Sequence, residues 1–305
     1  YGATEVVLNT SNKKFITNNV IKSTNIPNLN DYPILVTLHD IGLNSHMCFS
    51  RFFSQLRINF PQHLLNDLVI LHLNIPGVHY DSDTIKEDDL IKKNGIIIED
   101  LIPFYHKLLH TEFQIDRYIC MGVGYGSYFW SYYATHYPYA IVCAILFGVT
   151  SRAVGWLEWA KYLIGPYHEH TYIDNYIDRW FGSINVSSSI NNDLFQYYRE
   201  EIYKLNQTNI QYMLCGYMKR IDITHLLEKM TDMPIFLGFG DNTFHETEAT
   251  HYQSSLKSSN HTTWFRLPSS GILLTEHRTH QLMEPLKLFL NGLGYYRQLG
   301  GITKL

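Results

Sequence analysis

Cys120–Met121–Gly122–Val123–Gly124–Tyr125–Gly126–Ser127 runs directly from an apolar strand pattern into an aromatic helix pattern. A tight strand-to-helix turn with a glycine on each side of one position is the layout of a nucleophile elbow, G-x-S-x-G. The flanking glycines are required because the central residue is held in a strained conformation and its neighbours crowd the next helix. Here the central residue is Gly124, which has no hydroxyl, thiol or carboxylate. A glycine adopts positive φ at little cost, so Gly124 is expected in the left-handed region.

Outward from that turn, short β-branched runs recur at Ile34–Leu38, Leu68–Leu73, Tyr118–Met121, Ile141–Phe147, Ile235–Phe239 and Thr262–Leu267. Each is nearly continuous rather than alternating, as expected for strands covered on both faces. Between them lie helical patterns at Cys48–Leu56, Leu90–Leu109, Tyr125–Tyr137, Glu248–Lys257 and Gln281–Gly292. Such alternation predicts a mostly parallel sheet wrapped by helices. Thr4–Leu8 and a piece around Phe15–Ile21 are expected to add an antiparallel edge. From Ser151 to about Met230 only helical spacing is found, in Trp156, Trp159, Ala160 and Leu163 and in Tyr172, Tyr176, Ile177 and Trp180. The expected fold is therefore α/β, resembling an α/β-hydrolase, with an all-helical cap inserted after the sixth strand. Residues 1–150 form the first part of the core, 151–230 the cap and 231–305 the second part of the core.

A rival reading of the elbow is the dinucleotide fingerprint G-x-G-x-x-G. Its third glycine falls one residue early, at Gly126, and the strand is not the first of the sheet. No acidic residue follows about 20 positions on, because Tyr118 through Ser151 contains no Asp, Glu, Lys or Arg. No cofactor is expected. That uncharged stretch is long enough for a membrane span. Gly122, Gly124, Gly126, Pro138 and Gly148 interrupt it, so it reads as strand, turn, helix and strand in a protein core.

The other two triad positions can be placed by spacing. The acid follows the strand after the cap, where Gly240–Asp241–Asn242–Thr243 puts Thr243, with Asp241 two residues early. The histidine position after the last strand is Ile272, in the step Gly271–Ile272. An isoleucine cannot take a proton, so general-base catalysis is absent there. Nucleophile, acid and base positions thus read Gly124, Thr243 and Ile272. Three failures together indicate a hydrolase scaffold without hydrolase chemistry.

Composition narrows the partners. The 305 residues carry 24 Lys+Arg and 28 Asp+Glu, for a formal charge of −4. The balance is −3 over residues 1–151, −1 over 152–230 and 0 over 231–305, so no basic face marks a nucleic-acid partner. Cys48, Cys120, Cys143 and Cys215 lack metal or disulfide spacing, which fits a reducing compartment.

His39–Asp40–Ile41–Gly42–Leu43–Asn44, the glycine elbow, Gly155–Trp156–Leu157–Glu158–Trp159–Ala160 and Asn291–Gly292–Leu293–Gly294–Tyr295 together resemble the N-myc downstream-regulated (NDRG) family. The likeness runs in order over nearly the whole chain, from Tyr1–Gly2 and Val6–Val7 onward. Asn74–Ile75–Pro76–Gly77 departs from the family's usual Asp-Ala-Pro-Gly, and its phosphorylated Ser/Thr-rich tail does not follow Leu305. The resemblance implies an α/β-hydrolase fold with a helical cap and no hydrolytic activity. It also implies a cytoplasmic role in differentiation, stress response, signalling or trafficking, through protein partners and a lipid or small ligand at the cleft.

The candidate cleft-facing residues are His39, Asp40, Tyr125, Trp156, Trp159 and Asp241. His39 and Asp40 follow the third strand, where hydrolases build half of the oxyanion hole. The plainer reading makes them loop structure, with Asp40 bonding nearby amides and Gly42 supplying a turn. Trp156 and Trp159 either line a ligand cleft or bury the cap against the sheet. A displaced hydrolase or lyase constellation would draw on His39, Asp40, Ser127 and Asp241, although Ser127 should lie one helical turn past the cleft mouth. A receptor that keeps the cleft for binding alone is a third reading. Among sixteen histidines, His168–Glu169–His170 and His277–Arg278–Thr279–His280 come closest to metal spacing, without a third ligand.

Overall fold

The computed structural model describes residues 4–11, 14–16, 29–61, 68–86, 91–92, 95–156, 158, 169–182, 192–230, 233–241, 245–256 and 261–294. In chain order its first half holds β1 (Thr4–Ser11), β2 (Lys14–Ile16), β3 (Ile34–Leu38), α1 (Ser45–Asn59), β4 (Val69–Leu73), β5 (Ile91–Lys92), β6 (Gly95–Ile96), α2 (Ile98–Lys107), β7 (Tyr118–Val123), α3 (Tyr125–His136) and β8 (Ile141–Phe147). The helices α4 (Glu169–Phe181), α5 (Asn192–Tyr203) and α6 (Gln207–Tyr217) follow, and then β9 (Ile235–Gly240), α7 (His245–Ser255), β10 (Thr262–Leu267) and α8 (His280–Gly292).

Eight strands form one sheet in the order β10-β9-β8-β7-β3-β4-β1-β2. Every pairing in it is parallel except β1 with β2. The sheet is thus the mostly parallel, helix-flanked one read from the sequence, with α4 to α6 inserted as a helical cap after β8. Two details differ. The first N-terminal strand joins the parallel set, Val6 opposite Leu71 on β4, and only β2 runs antiparallel. The helix expected from Leu90 begins at Ile98, because Ile91–Lys92 and Gly95–Ile96 pair as a small hairpin. That hairpin meets the cap backbone to backbone: a Cβ on Gly216 of α6 would stand 1.8 Å from the Ile96 carbonyl oxygen.

The central strands are buried along their length, as continuous apolar runs require. At the sheet edge β10 departs from that expectation, with Trp264 50% exposed. The helix α1 starts at Asn44, whose side chain accepts the Met47 N–H at 2.9 Å. It turns Met47, Phe49, Phe52, Phe53 and Leu56 inward. The charge-free stretch separates into β7, α3 and β8. Its aromatics Tyr128, Phe129, Trp130, Tyr132 and Tyr133 are buried core. Each contributes on the order of 1.5–3 kcal/mol by leaving water. Among the described residues, no helix is long and apolar enough to cross a membrane.

Candidate functional site

Gly124 sits at φ 51° and ψ −105°, between the last residue of β7 and the first of α3. Its N–H donates to the Phe147 carbonyl at 2.8 Å, and its carbonyl accepts the Tyr128 N–H at 3.0 Å. The strand-to-helix elbow is therefore present with its positive φ. The third glycine explains how closely α3 packs: a Cβ on Gly126 would stand 2.0 Å from the Leu38 carbonyl oxygen on β3.

The space above Gly124 is occupied by Asp40. A Cβ on Gly124 would lie 2.2 Å from Asp40 Oδ1 and 2.9 Å from Arg179 Nη2. Asp40 Oδ1 accepts the Tyr125 N–H at 2.7 Å. That amide, the one after the nucleophile position, is one of the two donors an α/β-hydrolase uses for its oxyanion hole. Arg179, from the end of α4, grips the same carboxylate with Nε at 2.8 Å from Oδ2 and Nη2 at 3.1 Å from Oδ1. Both side chains are buried. The carboxylate thus stands where a tetrahedral oxyanion would, with a fixed counter-charge from the cap.

The ion pair continues into the cap. Arg179 Nη1 lies 3.9 Å from Glu158 Oε1, and Glu158 Oε2 accepts from Arg220 Nη2 at 2.5 Å. Both guanidinium groups stack over the Tyr217 ring, at 5.4 Å and 4.1 Å. Two acids and two bases alternate and their charges cancel, which burial demands, since a lone buried ion costs several kcal/mol. Of these residues, only Asp40 was a candidate from the sequence. Glu158 lies inside a quoted motif, but 139 positions separate Arg179 from Asp40 and no spacing rule joins them.

His39 is fully buried and serves the backbone. Its Nδ1–H donates to the Asp40 carbonyl at 2.8 Å, and Nε2 accepts the Ile75 N–H at 3.1 Å. Burial lowers its pKa to about 4, opposed by the Asp40 carbonyl and charge. With both nitrogens engaged it is a loop pin, the plainer of the two readings. Asp40 divides between the readings: it bonds an amide, and it also faces Gly124. The nearby Cys48 thiol is pushed well up by burial and stays protonated.

Ile272 is buried against Gly148, whose added Cβ would meet Ile272 Cβ at 2.6 Å. At Ile272, the position expected from spacing to hold a base, an apolar side chain packs against backbone. Ser127 faces β8: its Oγ donates to the Phe147 carbonyl at 2.8 Å and accepts the Phe147 N–H at 3.0 Å. Asp241 accepts the Ser269 N–H at 2.6 Å and lies 3.6 Å from Arg266. The four members of the displaced constellation therefore have separate engagements, and only Asp40 meets the elbow. Tyr125 contributes its N–H, while its buried phenol oxygen has no hydrogen-bond partner among the described residues. Trp156 is 73% exposed, so it neither lines a cleft nor buries the cap. Trp159, Thr243 and His168 lie outside the described residues, as do the side chains of Glu169 and His170. His277 packs edge-on against Phe181, 5.7 Å between rings. No group of three or more potential metal ligands converges among the described residues.

The cap is fastened to the core at several further points. Ile272 and Leu273 donate their N–H groups to the carbonyls of Arg179 and Trp180, at 3.3 Å and 3.0 Å. A Cβ on Gly271 would stand 2.3 Å from the Trp180 oxygen. Tyr198 on α5 donates to the Met47 carbonyl at 2.8 Å. Asn209 on α6 donates to Gly77 and accepts from Ile85, both at 2.9 Å. Within the core, in the turn before α8, Glu276 Oε1 accepts the Arg51 N–H of α1 at 2.8 Å.

A sequence profile of the Ndr family matches residues 21–297. The chain is 26% identical over 291 residues to an NDRG-like protein of Dictyostelium discoideum, covering 94% of this chain and 85% of that one. It is 27% identical over 266 residues to the protein NDRG2 of Mus musculus, covering 86% and 68%. Among solved structures, a thermophilic esterase from Thermogutta terrifontis matches with TM-score 0.64 at 14% identity, over 85% of this chain and 90% of that one. MenH from S. aureus matches with TM-score 0.64 at 11% identity, over 88% and 96%. These structures establish the α/β-hydrolase fold.

Proposed function

The chain belongs to the Ndr family, and on that premise we propose that it is a catalytically silent α/β-hydrolase-like protein acting as a binding or adaptor module. Residues 1–150 and 231–305 make its core and 151–230 its cap. It works in the cytoplasm, in signalling, stress response, differentiation or trafficking, and its partners are proteins, with a lipid or small ligand as a further class. The single observation behind the silence is the Asp40 carboxylate on the Tyr125 N–H, held by Arg179. A substrate carbonyl would have to displace a buried, doubly paired anion to reach a position that has no nucleophile. The absence of a base at Ile272 and the engagement of Ser127 with Phe147 support the same reading.

The test is a pair of assays on the purified chain. A serine-directed fluorophosphonate should leave it unlabelled, and a panel of short- and long-chain aryl esters should turn over at the buffer rate. Stoichiometric labelling that vanishes in Ser127→Ala would overturn the proposal and restore a displaced hydrolase.

A further inference from the structure

A pair of histidines lies where α2 runs out, beside Tyr118 at the start of β7 and so at the far end of that strand from Gly124. His106 is on the last turn of α2. His110 comes one turn later, in a wider turn closed by the Phe113 N–H on the Leu108 carbonyl at 3.1 Å. Turns of this wider kind recur at functional sites. Two histidines four positions apart share one helix face, the spacing with which helices grip metal ions. Here the two rings meet, with centres 4.3 Å apart.

The His106 ring is fixed. It lies flat on Tyr137, with 3.6 Å between centres and 1° between planes. Its Nδ1 lies 2.7 Å from the Tyr133 hydroxyl. A ligating histidine engages its second nitrogen in this way, which orients the ring and leaves the other nitrogen for the metal. With Nδ1 donating its hydrogen to the Tyr133 oxygen, the lone pair falls on Nε2.

His110 brings the second nitrogen. Its Nε2 is buried and has no hydrogen-bond partner, a state in which few buried polar atoms are left. Tyr118, 6.2 Å away between rings, has a buried phenol oxygen in the same condition. Burial lowers the pKa of both rings, assisted at His106 by the charge of His110 and opposed at His110 by that of Asp116. Each ring is therefore neutral at physiological pH, as metal ligation requires. Both histidines are half-buried. They are flanked by the exposed Tyr139, 6.4 Å from each ring, so an ion meets them at the protein surface.

The spacing also fits. Two imidazoles bound to one metal at about 2.1 Å set their ring centres roughly 4.5–5 Å apart, for bond angles from square to tetrahedral. From 4.3 Å, a small turn of the His110 ring suffices.

We propose that His106 Nε2 and His110 Nε2 together bind a divalent transition-metal ion, Zn²⁺ or more tightly Cu²⁺, with water completing the coordination. The order of the two ions follows the general ranking for imidazole ligands. The site is independent of the elbow and of the catalytic silence proposed above.

The experiment titrates the untagged full chain, stripped of metal with a chelator and dialysed, with zinc chloride and separately with copper(II) chloride. Histidine ring resonances are followed by NMR, because sixteen histidines offer single-ring background binding. Zn²⁺ should shift the His106 and His110 signals together and saturably, at concentrations that leave the other histidines in place. Cu²⁺ should broaden the same two signals first. In calorimetry His106→Gln and His110→Gln should each weaken binding by about tenfold or more, since each removes half of the protein ligands. The resonances of the unaltered chain decide the matter if a variant fails to fold. Shifts confined to other histidines, or unchanged affinity in either folded variant, would overturn the proposal.

Discussion

Arg179 on the cap and Asp40 on the core share two hydrogen bonds, at 2.8 Å and 3.1 Å, with both side chains out of water. Removing one partner leaves the other charged and buried without its closest counter-charge. Arg179→Met and Asp40→Asn should each cost about 3–5 kcal/mol in urea denaturation. The double variant should recover a large part of that loss, because it leaves no lone ion at this pair. Strictly additive costs would mean that the two side chains do not act as a pair.

Gly124→Ser places a side chain where Asp40 Oδ1 already stands, at a backbone position of φ 51°. The left-handed region costs an L residue about 1–2 kcal/mol, and the overlap with Asp40 adds to it. The thermal midpoint should fall by several degrees with no gain in ester turnover. A stable Gly124→Ser would show that Asp40 yields the space easily.

Two glycine substitutions form a contrast. Gly126→Ala drives a methyl to 2.0 Å from the Leu38 carbonyl oxygen, backbone that cannot swing away, and should cost about 2 kcal/mol or more. Gly155→Ala meets nothing within 4 Å and should stay within about 0.5 kcal/mol of wild type. Equal losses in chemical denaturation would contradict this account of the α3–β3 contact.

Stability should depend on pH in opposite senses on two sides of neutrality. Burial raises the Glu276 pKa from 4.5 to about 8, opposed mainly by the Arg51 N–H. The folded chain therefore holds a proton that the unfolded chain releases, and the associated stability declines as pH rises from 4.5 through 8. His39, His72 and His277 are each lowered by burial from 6.5 to about 4, so their contribution is lost as pH falls through that window. Three groups outweigh one below pH 6.5, which puts the maximum near that value. Glu276→Gln keeps an acceptor for Arg51 and removes the alkaline slope, at most about 1.4 kcal/mol per pH unit. Melting curves from pH 5 to 8.5 should show the variant gaining on wild type only toward the alkaline end.

The sheet was legible because its strands are buried on both faces and show as apolar runs, and because glycine spacing at 122, 124 and 126 marks one geometry. The hairpin at Ile91–Ile96 was hidden, since two-residue strands leave no periodicity and the adjoining helix pattern absorbed them. Edge exposure at Trp264 was equally invisible, because a β-branched and aromatic run reads alike at the centre and the rim of a sheet. At the site, the strand-to-helix turn with Gly124 at positive φ could be read from spacing. What stands over it could not: Arg179 lies on a helix whose visible signal was its aromatic face, and its pairing with Asp40 exists only in three dimensions. Trp156 was misjudged because a tryptophan at helical spacing says nothing about which way its helix faces.

The main-chain bonds from Ile272 and Leu273 to the last carbonyls of α4 have a kinetic consequence. These two amides belong to the core, yet their acceptors belong to the cap, so they can exchange with deuterium only when the cap separates or the whole molecule unfolds. They are natural reporters of cap opening. If the cap is a fixed part of the protein, they should exchange as slowly as the amides at the centre of β7. If it breathes as a lid, they should exchange early and together, while β7 remains protected.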